Sequence, residues 1–201
     1  MELIFISLVG YLIGAVPFAF VIGKVFYHTD VRQHGSGNLG GSNTGRVLGP
    51  KAGVAVMTLD LLKVTLIVYL ALKFCTHPWA VACGGISAAL GHCYPVFAHF
   101  RGGKAVATMY GFLFGLWVCI GCSPLVFLLP LITFLLVLFL FKIVALSSMI
   151  SALVAVTYIW FTGTHPSVMI AIVIFAVLVI LRHRGNIKRM IQGTENKVRW
   201  I

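Results

Sequence analysis

Carboxylates are what this chain has least of. Glu2, Asp30, Asp60 and Glu195 are its entire acidic complement, against fifteen Lys and Arg. A formal charge of +11 must be met by anionic lipid headgroups, an anionic substrate, or both. Charge of either sign is scarce, at 9% of residues, whereas 60% are hydrophobic and the mean hydropathy is +1.05, which excludes a soluble domain of 201 residues. Cysteine is sparse and odd in number, five in all, which argues against a disulfide framework. The CIGC at 119–122 lacks a second CxxC and a nearby acidic ligand, so its cysteines read as small packing residues and no metal or cofactor is expected. A signal-peptide signature is also missing: the first apolar run opens with Glu2 and continues to Gly23 with no small-residue cleavage site, as a spanning helix would. The glycine-rich stretch QHGSGNLGGSNTGRVLG at 33–49 fits neither GxGxxG nor the P-loop, so neither nucleotide nor nucleic acid is expected as a ligand.

What is present in quantity is apolar sequence. Runs at 3–23, 52–74, 79–97, 106–121, 124–141, 144–161 and 167–181 predict seven transmembrane helices in an all-α, polytopic, single-domain protein covering 1–201. The fourth and fifth are separated by GCSP, a turn or a kink. Lys24, Arg32, Arg46 and Lys51 lie in the first connection, Arg101 and Lys104 in the third, Lys142 in the fifth, and Arg182, Arg184, Lys188, Arg189, Lys197 and Arg199 in the tail. Every basic residue except Lys63 and Lys73 therefore falls on one side, which predicts an outside N-terminus and a cytoplasmic C-terminus. Asp60 and Lys63, three apart within a span, are expected to pair as structural ions.

Four polar clusters reach that basic side. In 33–49, Gly35, Gly37, Gly40, Gly41 and Gly45 would let backbone approach a ligand, Ser36, Asn38, Ser42, Asn43 and Thr44 offer neutral hydrogen-bond groups, and Arg46 a forked cation suited to phosphate. A backbone with so many polar groups cannot cross a bilayer unaided. In GHCYPVFAHFRGGKAVAT, 91–108, the amides of Gly102, Gly103 and Lys104 are placed to meet an anion at a helix start, with His92 before them and Thr108 one turn on. Ser147 and Ser148 open the sixth span, where back-bonding to the helix is the plain alternative. LRHRGNIKRM, 181–190, brings His183 and Asn186 to the end of the last span. Together the clusters point to a phosphate-bearing substrate at the inner interface.

SGNLGGSN with Arg46, GHCYPVF followed by FRGGKAVAT, and LRHRGNI resemble, in order and spacing, the signature regions of the bacterial acyl-phosphate:glycerol-3-phosphate acyltransferases, the PlsY family. The resemblance implies a seven-helix enzyme of the bacterial cytoplasmic (inner) membrane that moves a fatty acyl group from acyl phosphate to the 1-hydroxyl of glycerol 3-phosphate, giving lysophosphatidic acid. Its partners would be those two substrates, the lipid bilayer and, as a candidate, the soluble enzyme that forms acyl phosphate. The positions it assigns to the site are Ser36, Asn38, Ser42, Asn43, Arg46, Lys104, His183 and Asn186, to which the residue reading adds Gly37, Gly40, His92, Gly102, Gly103, Thr108, Ser147 and Ser148. Departures are Gly41 and Ser42 where the family usually has Ala and Thr, Arg101 and Ala105 around the GGK, Gly185 in place of Glu, and Ala145 where a serine is common.

No histidine is followed by Asp in an HxxxxD arrangement. With carboxylates so few, the base that takes the hydroxyl proton is either His183 or a phosphate oxygen of a substrate, and positioning and electrostatics must supply most of the rate. Arg46, Lys104 and His183 are assigned to phosphate recognition, Ser36 and Asn38 to the acyl phosphate, with a covalent acyl-Ser36 intermediate as the alternative. The rival readings are a small-anion transporter and an acyltransferase using acyl-CoA or acyl carrier protein.

Overall fold

A computed structural model describes residues 1–198, and Arg199, counted above in the basic tail, lies outside the described residues. The described chain is helical: α1 (Glu2–Gly14), α2 (Phe18–Tyr27), α3 (Gly41–Leu48), α4 (Pro50–Phe74), α5 (Ala80–Cys93), α6 (Val106–Val118), α7 (Leu125–Phe141), α8 (Val144–Thr162), α9 (Pro166–Arg182) and α10 (Arg184–Ile191). Single 3-10 turns sit at Val31–Gln33 and Val96–Ala98. Starts and stops follow local chemistry. Pro50 and Pro166 open α4 and α9, where a missing N–H costs nothing, and His165 caps Ser167 N–H at 3.2 Å.

All seven predicted apolar runs are helical. Among the described residues, Glu2–Tyr27, Pro50–Phe74, Ala80–Ala98 and Val144–Thr162 are long and apolar enough to cross a bilayer alone, and a fifth span results if Pro166–Arg182 and Arg184–Ile191, meeting at 54°, are one bent helix. Val106–Val118 and Leu125–Phe141 are shorter apolar helices; at 1.5 Å per residue they reach roughly 20 and 25 Å against a hydrocarbon core of about 30 Å.

The first run differs from its expected form: it is two helices, not one. Pro17 has no N–H and disfavours helical geometry at Val16, so the helix breaks there and α2 continues past Gly23 to Tyr27. The Val16 carbonyl at the break accepts from Lys63 Nζ (3.1 Å), which also bonds Asp60 Oδ1 (2.6 Å) and approaches His92 Nδ1 (3.2 Å). An ammonium only donates, so His92 Nδ1 is the acceptor. The Asp60–Lys63 pair is thus part of a buried knot joining α1–α2, α4 and α5.

α1 runs parallel to α5 with Gly10 facing Gly84 and Gly14 facing Ala88; a methyl group at Gly14 would overlap the Ala88 backbone, so small residues set the separation of these helices. Phe112, Phe175, Met109, Leu113 and Ile172 fill the centre between α6 and α9. α3 crosses α4 with Gly41 and Gly45 against Gly53, so both glycines serve helix packing, and Gly41 also borders the cavity described below.

Candidate active site

The stretch 33–49 is built, not slack. Asp30 accepts from Arg32 N–H (3.0 Å) and pairs with the Arg32 guanidinium (2.7 Å), which lies over the Phe20 ring; the bonded arginine holds the Asp30 carboxyl below its usual range. Asn43, buried in α3, accepts from Ser36 N–H (2.8 Å) and donates to the Val31 and His34 carbonyls (3.0 and 3.2 Å). Its amide thereby fixes the loop that carries Ser36 and Asn38. The first turn of α3 borders a cavity of about 360 Å³ with amides that precede the helix's own hydrogen bonds.

That cavity brings together Ser36, Asn38, Gly40, Ser42, Asn43, Arg46, His92, Lys104, Ser148, His183 and Asn186 from the sequence reading. It adds Arg189, Glu195, Asn196, Asp60 and Thr58, and a wall of Val54, Met57, Leu61, Tyr110, Phe127, Leu131, Phe134 and Val144. The lining thus combines a polar, cationic set with an apolar, aromatic one. Tyr110 belongs to the apolar set, its hydroxyl donating to the Pro130 carbonyl (3.0 Å) and its ring edge-on to Phe127 and Phe134.

Five expected positions are not brought to the cavity. Gly37 turns the loop at φ +67 and its N–H goes to the His34 carbonyl. Gly103 N–H donates to the His92 carbonyl (3.0 Å), and the carbonyls of Gly102 and Gly103 accept from the Arg182 guanidinium (3.1 and 3.0 Å), so this pair braces the chain ahead of Lys104. Gly103 is glycine because a Cβ there would enter the His92 ring. Thr108 is fully buried with its hydroxyl on the Ala105 carbonyl (2.9 Å). Ser147 bonds back to the Ile143 carbonyl (2.9 Å); Ser148 bonds back to Val144 (2.8 Å) but borders the cavity beside Ala145.

The brace aims Lys104. With Ala105 in the left-handed region (φ +60), a conformation costing an L residue about 1–2 kcal/mol, the chain turns sharply into α6 and Lys104 Nζ reaches Asn186 Oδ1 at 2.6 Å. Burial pushes the Lys104 ammonium down to about 8; the Glu195 carboxylate opposes that shift, and Arg189, Arg182 and Arg46 add to it. His183 sits at the α9–α10 break with Nδ1 on the Val179 carbonyl (2.7 Å). A carbonyl only accepts, so Nδ1 carries the proton, and burial pushes this imidazole down to about 4. At neutral pH it is uncharged, with an accepting lone pair on Nε2.

Sequence reasoning missed Glu195 and Asn196 altogether. Their one signal was that Glu195 is a lone acid in a strongly basic tail.

Comparison with known proteins shows the family. The family model described as glycerol-3-phosphate acyltransferase matches residues 4–193. A glycerol-3-phosphate acyltransferase of Geobacillus kaustophilus is 47% identical, covering 97% of this chain and 95% of the relative. One from Listeria monocytogenes is 44% identical, covering 100% of this chain and 98% of the relative. The crystal structure of PlsY (YgiH), an integral membrane glycerol 3-phosphate acyltransferase, in its glycerol 3-phosphate form superposes with a TM-score of 0.91 at 34% identity, covering 99% of this chain and 96% of that one. Its lysophosphatidic acid form gives a TM-score of 0.88 over the same shares. The chain belongs to the PlsY family of integral membrane glycerol-3-phosphate acyltransferases.

Proposed function

We propose that the protein transfers a fatty acyl group from acyl phosphate to the 1-hydroxyl of glycerol 3-phosphate, releasing phosphate and lysophosphatidic acid, at the cytoplasmic face of the bacterial inner membrane. The observation that carries this is a single cavity whose lining combines a cationic, amide-rich set with an aromatic, aliphatic one, suited to a molecule that joins a phosphate to an acyl chain. The solved relatives in glycerol 3-phosphate and lysophosphatidic acid forms support the acceptor and the product. The whole of 1–201 acts as one domain with seven spans, α1 and α2 forming the first and α4 to α9 the rest. The basic connections face the cytoplasm and the N-terminus faces outward.

In this reading the glycerol hydroxyl oxygen bonds to the acyl carbon, the bond from that carbon to the bridging phosphate oxygen breaks, and the hydroxyl proton leaves on a phosphate oxygen. Arg46 and Lys104 grip phosphoryl oxygens, Ser36, Asn38, Ser42 and the first-turn amides of α3 hold the donor, and Asn186 keeps Lys104 aimed. Neutral His183 accepts a hydrogen bond from the attacking hydroxyl and orients it. An imidazole held near 4 is a weak base, whereas the second ionisation of a phosphomonoester lies near 6, so the substrate's phosphate is the better proton acceptor.

Purified protein in detergent, given glycerol 3-phosphate and either acyl phosphate or acyl-CoA, tests the assignment. Lysophosphatidate from acyl phosphate is expected. Product from the thioester alone overturns the donor, and product from neither revives a transporter.

A further inference from the structure

One carboxylate beside the cavity, Glu195, takes no part in that acyl transfer. Gly193 (φ +69) turns the chain back after α10, Thr194 N–H closes on the Arg189 carbonyl (2.8 Å), and Val198 N–H bonds the Lys142 carbonyl (2.7 Å) at the turn between α7 and α8. The tail therefore runs from α10 to the turn between α7 and α8, and Glu195 and Asn196 border the cavity on the way. The Glu195 side chain is 9% exposed and uses both oxygens: Oε1 accepts from Asn186 Nδ2 (2.6 Å), Oε2 from Arg189 Nε (2.8 Å).

We propose that Glu195 is a positioning residue of the site, holding Asn186 and Arg189 in the cationic lining of the cavity and, through the orientation of the Asn186 amide, Lys104. The amide of Asn186 has two faces of opposite polarity, and a carboxylate on one side dictates that Nδ2 points toward it and Oδ1 toward the ammonium. Without Glu195 only the Lys104 ammonium orders the amide, and the flipped amide, which would present a donor to that ammonium, loses the opposing carboxylate that also penalises it. A carboxylate amid Arg46, Lys104 and Arg189 also lessens the mutual repulsion of these cations before substrate arrives, while a positive excess remains for phosphate. The inference rests on the reading of this cavity as the glycerol 3-phosphate site.

The test compares full-length Glu195→Gln and Glu195→Asp with the unaltered protein in detergent, by calorimetric titration of glycerol 3-phosphate and by lysophosphatidate formation from acyl phosphate. Glutamine has one oxygen, so either Asn186 or Arg189 would face another donor. Loss of a buried charge-assisted bond predicts a rise of about tenfold or more in Kd and KM for glycerol 3-phosphate. Aspartate, retaining the charge, should recover part of the affinity.

A purely structural role would not move the pH profile, but this one should. Lys104 faces Glu195, His183, Arg46, Arg182 and Arg189, and removing the one carboxylate lowers its pKa. The loss of affinity on the alkaline side then begins at lower pH in Glu195→Gln. Unchanged Kd and an unshifted alkaline limb overturn the proposal, as does an equal loss of thermal stability in both variants with KM unaltered. Unaltered protein that binds no glycerol 3-phosphate overturns this inference and the site reading together. Protein that binds it yet makes product from the thioester alone overturns only the donor, and the Kd ratio still decides for or against Glu195.

Discussion

Replacing Lys63 with Met removes the cation from a knot in which Asp60 is 1% exposed and Lys63 4% exposed. Three groups lose their donor at once: Asp60 Oδ1 at 2.6 Å, the Val16 carbonyl at 3.1 Å and His92 Nδ1 at 3.2 Å. Methionine fills much of the lysine stem's volume, so the loss is electrostatic. Breaking a buried ion pair by removing one partner costs about 3–5 kcal/mol, because the remaining charge is left uncompensated. Adding Asp60→Asn to the same chain removes that charge. The double variant should recover all but about 1–2 kcal/mol, the residue being the hydrogen bonds lost at Val16 and His92. Denaturation midpoints of the unaltered, single and double proteins in one detergent read out both numbers. A Lys63→Met protein within about 1 kcal/mol of the unaltered one, or a double variant no better than the single, would refute the argument that an unpaired charge dominates.

Lys104→Ala and Arg46→Ala should abolish lysophosphatidate formation with the melting temperature nearly kept, since Arg46 is exposed and Lys104 half-buried at the cavity rim. Unaltered turnover in either variant removes that residue from the site. If the Lys104 ammonium grips the phosphate ester as proposed, it does so below about 8 and is lost as pH rises through it, so affinity for glycerol 3-phosphate should fall from about pH 8 upward. An alkaline limb that persists unchanged in Lys104→Arg, whose cation does not titrate in this range, would show that another group is responsible. Gly103→Ala would drive a methyl group into the His92 ring and displace Lys104; activity should drop more than stability, and a fully active variant would deny the brace its role.

The sequence by itself determined that the chain is helical and membrane-embedded, where its apolar runs lie, and which polar clusters contribute to one cavity. These are legible because hydropathy and turn chemistry are local: Pro17, Pro50 and Pro166 act on the backbone within a residue or two of themselves. The break at Val16 is not legible in hydropathy, which is blind to one missing N–H inside an apolar run. The facing of individual side chains was decided by tertiary structure alone. Thr108 lies one turn from Lys104 yet points into the core, Gly103 spends its amide on His92, and Ser147 and Ser148 divide between core and cavity by a single helical step. Glu195 returns to Asn186 and Arg189 through the turn at Gly193, while the tail beyond it is tied by the Val198 N–H to the Lys142 carbonyl, 56 positions earlier in the chain. Contacts between segments so distant depend on helix rotation and crossing, which no window of neighbouring residues encodes.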